Sequence, residues 1–204
     1  MSKQKIMVGM SGGIDSSVTA YILQKDGYEV EGVYLKLHNR TDGYHESNLS
    51  YIDGVAKFLG IKYHILDLSK KFKKDVYDYF VNSYIDGNTP NPCVKCNKQI
   101  KFGAMLDFAK GASFLATGHY VKTDGKFFYV ADDLSKDQSY FLSQVPKDSI
   151  ASMMFPLSNY KKEDIIKLGA NLDVTYKNIT EKNESQEICF VETVYTDIIK
   201  KHAN

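Results

Sequence analysis

Ile6-Met7-Val8-Gly9-Met10-Ser11-Gly12-Gly13-Ile14-Asp15-Ser16-Ser17 is the stretch whose reading decides the fold. An apolar run ends in a glycine turn, and a helical spacing begins directly after it. The stretch therefore reads as a buried strand, a tight turn and a helix start. Val18, Ile22 and Leu23 carry the helical spacing to Lys25, and Gly27 is a C-terminal stop. The two glycines of the turn permit a backbone that points several N–H groups into one concavity. The helix N-terminus adds positive potential, and Ser16 and Ser17 add hydroxyl donors. Such a loop suits a phosphate or pyrophosphate. It lacks the Gly-Lys-Ser/Thr ending of a Walker A loop and the Gly-x-Gly-x-x-Gly of a dinucleotide fingerprint. A plain strand-to-helix turn capped by Asp15 or Ser16 is the other reading of the same residues.

Outward from this stretch, strand and helix patterns alternate. Strands are expected at Glu29 to Leu37, Ile61 to Leu68 and Phe114 to Ala116, and helices at Tyr44 to Leu59, Lys70 to Tyr84 and Cys96 to Lys110. Alternation of this kind predicts an α/β fold with a parallel sheet and helices on both faces. Functional loops then lie at the C-terminal ends of the strands, after Gly9 and after Ala116. Beyond Asp124 the rhythm changes: Lys126 to Val130 reads as a hairpin strand, and Lys147 to Met154, Lys161 to Leu168 and Val194 to His202 read as helices. A domain boundary near Val145 and Pro146 divides the chain into 1–145 and 146–204, the second part small and mainly helical.

The second unusual segment is Thr89-Pro90-Asn91-Pro92-Cys93-Val94-Lys95-Cys96-Asn97, a rigid loop with a Cys-x-x-Cys spacing. A zinc site needs four ligands, and only Cys189 and five scattered histidines remain to supply them. A redox pair and small buried thiols are further readings. Lys95, Lys98 and Lys101, together with a helix N-terminus, predict thiols shifted towards the nucleophilic thiolate.

Ser11-Gly12-Gly13-Ile14-Asp15-Ser16 resembles the pyrophosphate loop of N-type ATP pyrophosphatases. Pro90-Asn91-Pro92, Cys96-Asn97-Lys98, Ile100-Lys101-Phe102, Ala116-Thr117-Gly118-His119-Tyr120, Lys136-Asp137-Gln138-Ser139-Tyr140-Phe141-Leu142 and Glu187-Ile188-Cys189-Phe190-Val191 resemble, in order, the motifs of tRNA-specific 2-thiouridylases. The resemblance covers nearly the whole chain. It implies a Rossmann-like domain of the adenine nucleotide alpha hydrolase type, and conversion of a tRNA wobble uridine to 2-thiouridine with ATP and Mg2+.

By resemblance, Gly9, Met10, Ser11, Gly12, Gly13, Ile14, Asp15, Ser16, Ser17, Leu35 and Gly118 hold ATP, with Asp15 near the metal and Leu35 and Gly118 against the adenine. Cys96 is the nucleophile and Cys189 the persulfide-bearing cysteine, which have to meet if a transient disulfide forms between them. Asn91, Pro92 and Cys93 lie against the target base, Cys93 where many members carry an aspartate. His119, Lys136, Asp137 and Gln138 contact tRNA. The polar stretch Thr180 to Glu187 is expected to let the Cys189 loop move. Members of this group continue into a β-barrel domain that nothing here matches, and its absence predicts weakened tRNA binding.

Composition bounds these readings. The chain has 26 basic and 25 acidic side chains, a formal charge of +1, and Arg40 as its one arginine. That excludes a protein coated in basic charge for indiscriminate nucleic-acid binding, though not a local basic groove. At 43% hydrophobic and 25% charged it has ordinary globular composition, with no apolar run able to span a bilayer and no signal-peptide pattern. A cytoplasmic site is expected, where three cysteines do not form a disulfide framework. A sulfur-donor protein, such as a cysteine desulfurase or sulfur-relay protein, is the implied partner. Adenylation of a small molecule, as in an amidotransferase or synthetase, and a non-catalytic tRNA-binding fragment are the alternatives.

Overall fold

The apolar run at the start of the chain forms the central strand of a sheet. A computed structural model describes residues 3–181, 188–191 and 194–202. In chain order the elements begin with β1 (Lys5–Gly9), α1 (Ile14–Lys25), β2 (Glu29–Lys36), α2 (Tyr44–Leu59) and β3 (Tyr63–Asp67). A continuous helical stretch follows: α3 (Ser69–Phe72), a π-helical turn Lys73–Tyr77, and α4 (Asp78–Ile85). The next one comprises α5 (Pro92–Cys96), a π-helical turn Asn97–Ala104, and α6 (Met105–Phe108). Then come β4 (Phe114–Ala116), β5 (Lys122–Thr123), β6 (Phe128–Tyr129), β7 (Met153–Met154), α7 (Lys162–Ala170), α8 (Val174–Thr180) and α9 (Tyr195–His202).

The main sheet runs β3-β2-β1-β4-β7, and every pairing in it is parallel. β5 and β6 form the expected hairpin, shifted to an antiparallel pair of Lys122 with Tyr129 and Thr123 with Phe128. Strand alternation splits the core into two faces. Ile6, Val8, Val30, Tyr34 and Ala116 pack on one, with residues of α1, α2, α7 and α8; Met7, Val33 and Leu115 pack on the other, with Phe102 and Met105. The order of strands reverses between β1 and β4, whose C-terminal ends open a crevice of the kind that binds ligands in such sheets.

One expectation is corrected. Lys147 to Met154 is not one helix: a 3₁₀ turn covers Lys147–Ser152, and Met153 and Met154 then pair with Leu115 and Ala116 as the edge strand. A strand of two residues carries no periodicity to read, so pairing with a distant neighbour decides it. The sheet thus draws on residues from both sides of the expected boundary at 145. Among the described residues, no helix is long and apolar enough to cross a membrane.

Candidate active site

The glycine loop is built as a braced turn. Met10 N–H donates to the Val33 carbonyl at 2.8 Å, which ties the loop to the end of β2. Gly12 has φ +78°, and a Cβ there would lie 2.8 Å from the Asn48 carbonyl oxygen of α2. Ser16 Oγ and Ser17 Oγ both donate to the Gly13 carbonyl, at 3.0 and 2.9 Å, and Ser11 N–H donates to Ser16 Oγ at 3.1 Å. Ser16 and Ser17 are buried, so their hydroxyls hold the turn together and do not project as phosphate donors. Met10 and Ile14 side chains belong to the core, which leaves their backbone for the concavity. Gly118 arrives from β4 in direct contact: a Cβ on it would meet Asp15 C and Ser16 N at 2.9 Å. The two loops at the crevice therefore touch.

Asp15 is the charged centre of this corner. Lys162 Nζ donates to both carboxylate oxygens at 2.7 Å, and Tyr120 OH donates to Oδ1 at 2.9 Å. The Lys162 side chain is 9% exposed and that of Asp15 32%. Lys162 is held in turn by its own backbone N–H, which donates to Asp133 Oδ2 at 2.9 Å. Sequence reasoning missed Lys162 because a lysine in the first turn of an amphipathic helix looks like any solvated residue. Tyr120 stood in a quoted motif without a role.

The expected tRNA-facing residues serve largely to shape their own loop. Gln138 Oε1 accepts from Tyr120 N–H at 3.0 Å, and Asp137 accepts from Ala131 N–H at 2.9 Å and from Ser139 Oγ at 2.6 Å. Lys136 lies beside them, half-buried. His119 is buried among Phe102 and Phe155 and shares a 2.8 Å hydrogen bond between Nδ1 and Thr117 Oγ1. Burial, with Lys101 adding to it, pushes its pKa well below the usual range, so the ring is neutral. Its place here is among aromatic side chains, nearly shielded from solvent.

The second corner holds the thiols. Asn91 caps α5 by accepting from Val94 N–H at 3.1 Å, and Pro92 fills the first helical position. Cys96 is buried against Phe72, Val76 and Ile100, and Cys189, Phe190 and Leu35 pack on the same cluster. Phe190 fixes the Cys189 segment in an aromatic socket, with ring centroids 5.6 Å from Phe72, 5.4 Å from Tyr77 and 5.2 Å from Phe80. Segments distant in sequence thus bring two of the three thiols together, with Cys93 half-buried one helical turn from Cys96. All three are free. Of the stretch expected to let the Cys189 loop move, residues 182–187 lie outside the described residues.

The expectation of lowered thiol pKa values is corrected. Burial pushes Cys96 up to about 12 and Cys189 up to about 11, and raises Cys93, with Lys101 opposing in all three cases. Lys101 lowers each thiol, but in the apolar cluster the cost of desolvating a thiolate outweighs that attraction. Among the described residues, no three His, Cys, Asp or Glu side chains form a group able to hold a metal ion.

The family model for the tRNA methyl transferase HUP domain matches residues 4–193. The chain is 80% identical over 206 residues to the tRNA-specific 2-thiouridylase MnmA 1 of Aliarcobacter butzleri (strain RM4018), across 100% of this chain and 60% of that protein. It is 51% identical over 204 residues to the tRNA-specific 2-thiouridylase MnmA of Sulfurimonas denitrificans (strain ATCC 33889 / DSM 1251), across 99% of this chain and 59% of that protein. The chain therefore spans about 60% of the length of the curated relatives it matches. Among solved structures, a 4-thiouridine synthetase–RNA complex with bound ATP is similar with a TM-score of 0.56 at 17% identity, over 97% of this chain and 49% of that one. At that identity the likeness concerns the fold alone.

Proposed function

Because this chain belongs to the tRNA methyl transferase HUP domain family, we propose that it is the ATP-dependent sulfurtransferase part of a tRNA 2-thiouridine synthase, acting in the cytoplasm on a wobble uridine. The observation that carries the reading is the packing of Cys96 and Cys189 in one cluster, with Leu35 from the end of β2 touching both that cluster and the core beneath the crevice.

The chemistry explains why an ATP loop and two thiols belong together. The C2 oxygen of uracil is a poor leaving group. Its attack on the α-phosphorus of ATP expels pyrophosphate and leaves AMP on the oxygen. A persulfide anion on Cys189 then adds at C2, and AMP departs with the electron pair of the C2–O bond. The Cys96 thiolate attacks Cys189 Sγ and breaks the sulfur–sulfur bond. The released pair stays on the sulfur bound to C2, which becomes the thiocarbonyl. A Cys96–Cys189 disulfide remains, and a thiol reductant restores both cysteines.

The braced turn from Gly9 to Ser17 would cradle the pyrophosphate through backbone N–H groups and the α1 N-terminus, with Leu35 and Gly118 against the adenine. Asp15 is the carboxylate that would face a Mg2+ arriving with the phosphates, which would supply charge neutralisation; its oxygens are held here by Lys162 and Tyr120, so it would do so by exchanging those partners. Asn91, Pro92 and Cys93 border the thiol cluster, where a flipped base would lie. Flipping costs a few kcal/mol, less in an unpaired anticodon loop. Lys136, Asp137 and Gln138 would contact tRNA, with residues 146–204 delivering Cys189. A persulfide-carrying protein would load it.

Incubation of the chain with tRNA, ATP, Mg2+ and a persulfide donor, followed by mass spectrometry of tRNA nucleosides, is expected to give 2-thiouridine that is lost in Cys189→Ser. Full activity in both Cys96→Ser and Cys189→Ser would overturn the reading in favour of small-molecule adenylation. Absence of tRNA-dependent AMP formation would point to binding without catalysis.

A further inference from the structure

The π-helical turn Asn97–Ala104 changes which residues share a face with the thiols. In an α-helix each residue advances about 100°, so the fifth residue after Cys96 would lie about 140° round the axis. A π turn bonds residue i to i+5 and, with its wider winding, brings that fifth residue back towards the face of the first. Lys101 is the fifth residue after Cys96, and Cys93 lies one α-turn before Cys96 on the same face. Gly103 permits this winding: a Cβ on it would stand 2.9 Å from the Lys98 carbonyl oxygen, five residues earlier.

Lys101 is half-buried and makes no hydrogen bond or ion pair among the described residues. The contrast with Lys162, whose ammonium is held on Asp15, is direct. Cys96 and Ile100 face the apolar cluster, and of the lysines on this helical stretch Lys101 is the one whose charge acts on Cys93, Cys96 and Cys189. Other ionisable groups around them are few. Cys96 faces Cys93 and Cys189; Cys189 also feels Arg40, and its charge is felt by Tyr44.

We propose that Lys101 is the electrostatic partner of the sulfur anions of this site, placed over Cys93 and Cys96 by the π turn, and that it stabilises the Cys96 thiolate and the sulfur anion on Cys189. The sequence groups Lys101 with Lys95 and Lys98 without distinguishing them; in regular helical spacing Lys101 would face away from Cys96, and the π turn is what singles it out. The inference rests on the sulfurtransferase reading for its biological meaning. Its test needs no tRNA, ATP or turnover, so the two can fail separately.

The test measures alkylation of Cys96 and Cys189 by iodoacetamide in the whole chain, resolved by peptide mass spectrometry, from pH 7 to pH 10. Lys101→Met is expected to slow both cysteines about threefold to tenfold at a given pH and to move the whole profile to higher pH, since about one pKa unit is a factor of ten in thiolate. Lys101→Arg is expected to recover the unmodified rate within about twofold. Gly103→Ala, which keeps Lys101 but opposes the π turn, is expected to slow alkylation in the same direction. Unchanged rates in Lys101→Met would overturn the proposal, as would slowing in Lys101→Arg equal to that in Lys101→Met. If the Met variant melts early, Lys101→Gln is read by the same criteria.

Discussion

The two corners of the crevice are built on opposite principles. At the glycine loop every charge and hydroxyl described has a partner: Asp15 holds Lys162 and Tyr120, and Ser16 and Ser17 hold Gly13. At the thiol cluster the reactive atoms lie among Phe72, Val76, Ile100 and Leu35, and the nearby ammonium of Lys101 has no ion-pair partner among the described residues. The first corner is a fixed set of paired charges and hydroxyls around one tight turn. The second holds its sulfur atoms in apolar surroundings, where burial raises the thiol pKa values. The difference teaches that binding and reactivity in this fold are protected by separate means.

The largest expected effect that could break this comparison is in thiol reactivity. Alkylation of Cys96 is expected to rise about tenfold per pH unit beyond pH 9 with no plateau, because burial holds its pKa near about 12. A plateau near pH 8 to 9 would show an ordinary exposed thiol and remove the contrast. The sign for stability follows. Between the unfolded thiol value, about 8.5, and the folded one, the native state binds more protons, so stability falls as pH rises through that window.

Next in size is Asp15→Asn. It leaves the buried Lys162 ammonium without its counter-charge, and the expected loss is about 2–3 kcal/mol in chemical denaturation, below the range for a fully buried pair because Asp15 is partly exposed. A midpoint that does not move would mean the pair does not hold the corner. Smallest is Gly12→Ala, expected to cost about 1–2 kcal/mol through its left-handed backbone and to weaken nucleotide binding in calorimetry. If stability falls while nucleotide affinity is kept, the turn is structural only.

The strand, turn and helix from Ile6 to Lys25 were legible in the sequence because their causes are local: an apolar run, glycines and helical spacing within a few turns. The parallel sheet followed from the alternation of elements, and β1, β2 and α2 begin and end within a residue or two of the expected bounds. Met153–Met154 was illegible because a two-residue edge strand exists only through its pairing with β4. Thr117 to Tyr120 was marked as a site, but not that Tyr120 would meet Asp15.

By itself the sequence determined the fold class and the glycine loop, since each is written in short-range patterns of residue type, while the candidate nucleophiles came from the resemblance of the motifs around Cys96 and Cys189. Only the tertiary structure decided that Lys162 pairs with Asp15, that Phe190 seats Cys189 in the Cys96 cluster, and that the helix after Cys96 is wound as a π turn through Lys101. Those outcomes depend on burial and on the winding of one helical turn. Both arise from contacts between distant segments, and at the sulfur atoms burial outweighs the opposing charge of Lys101.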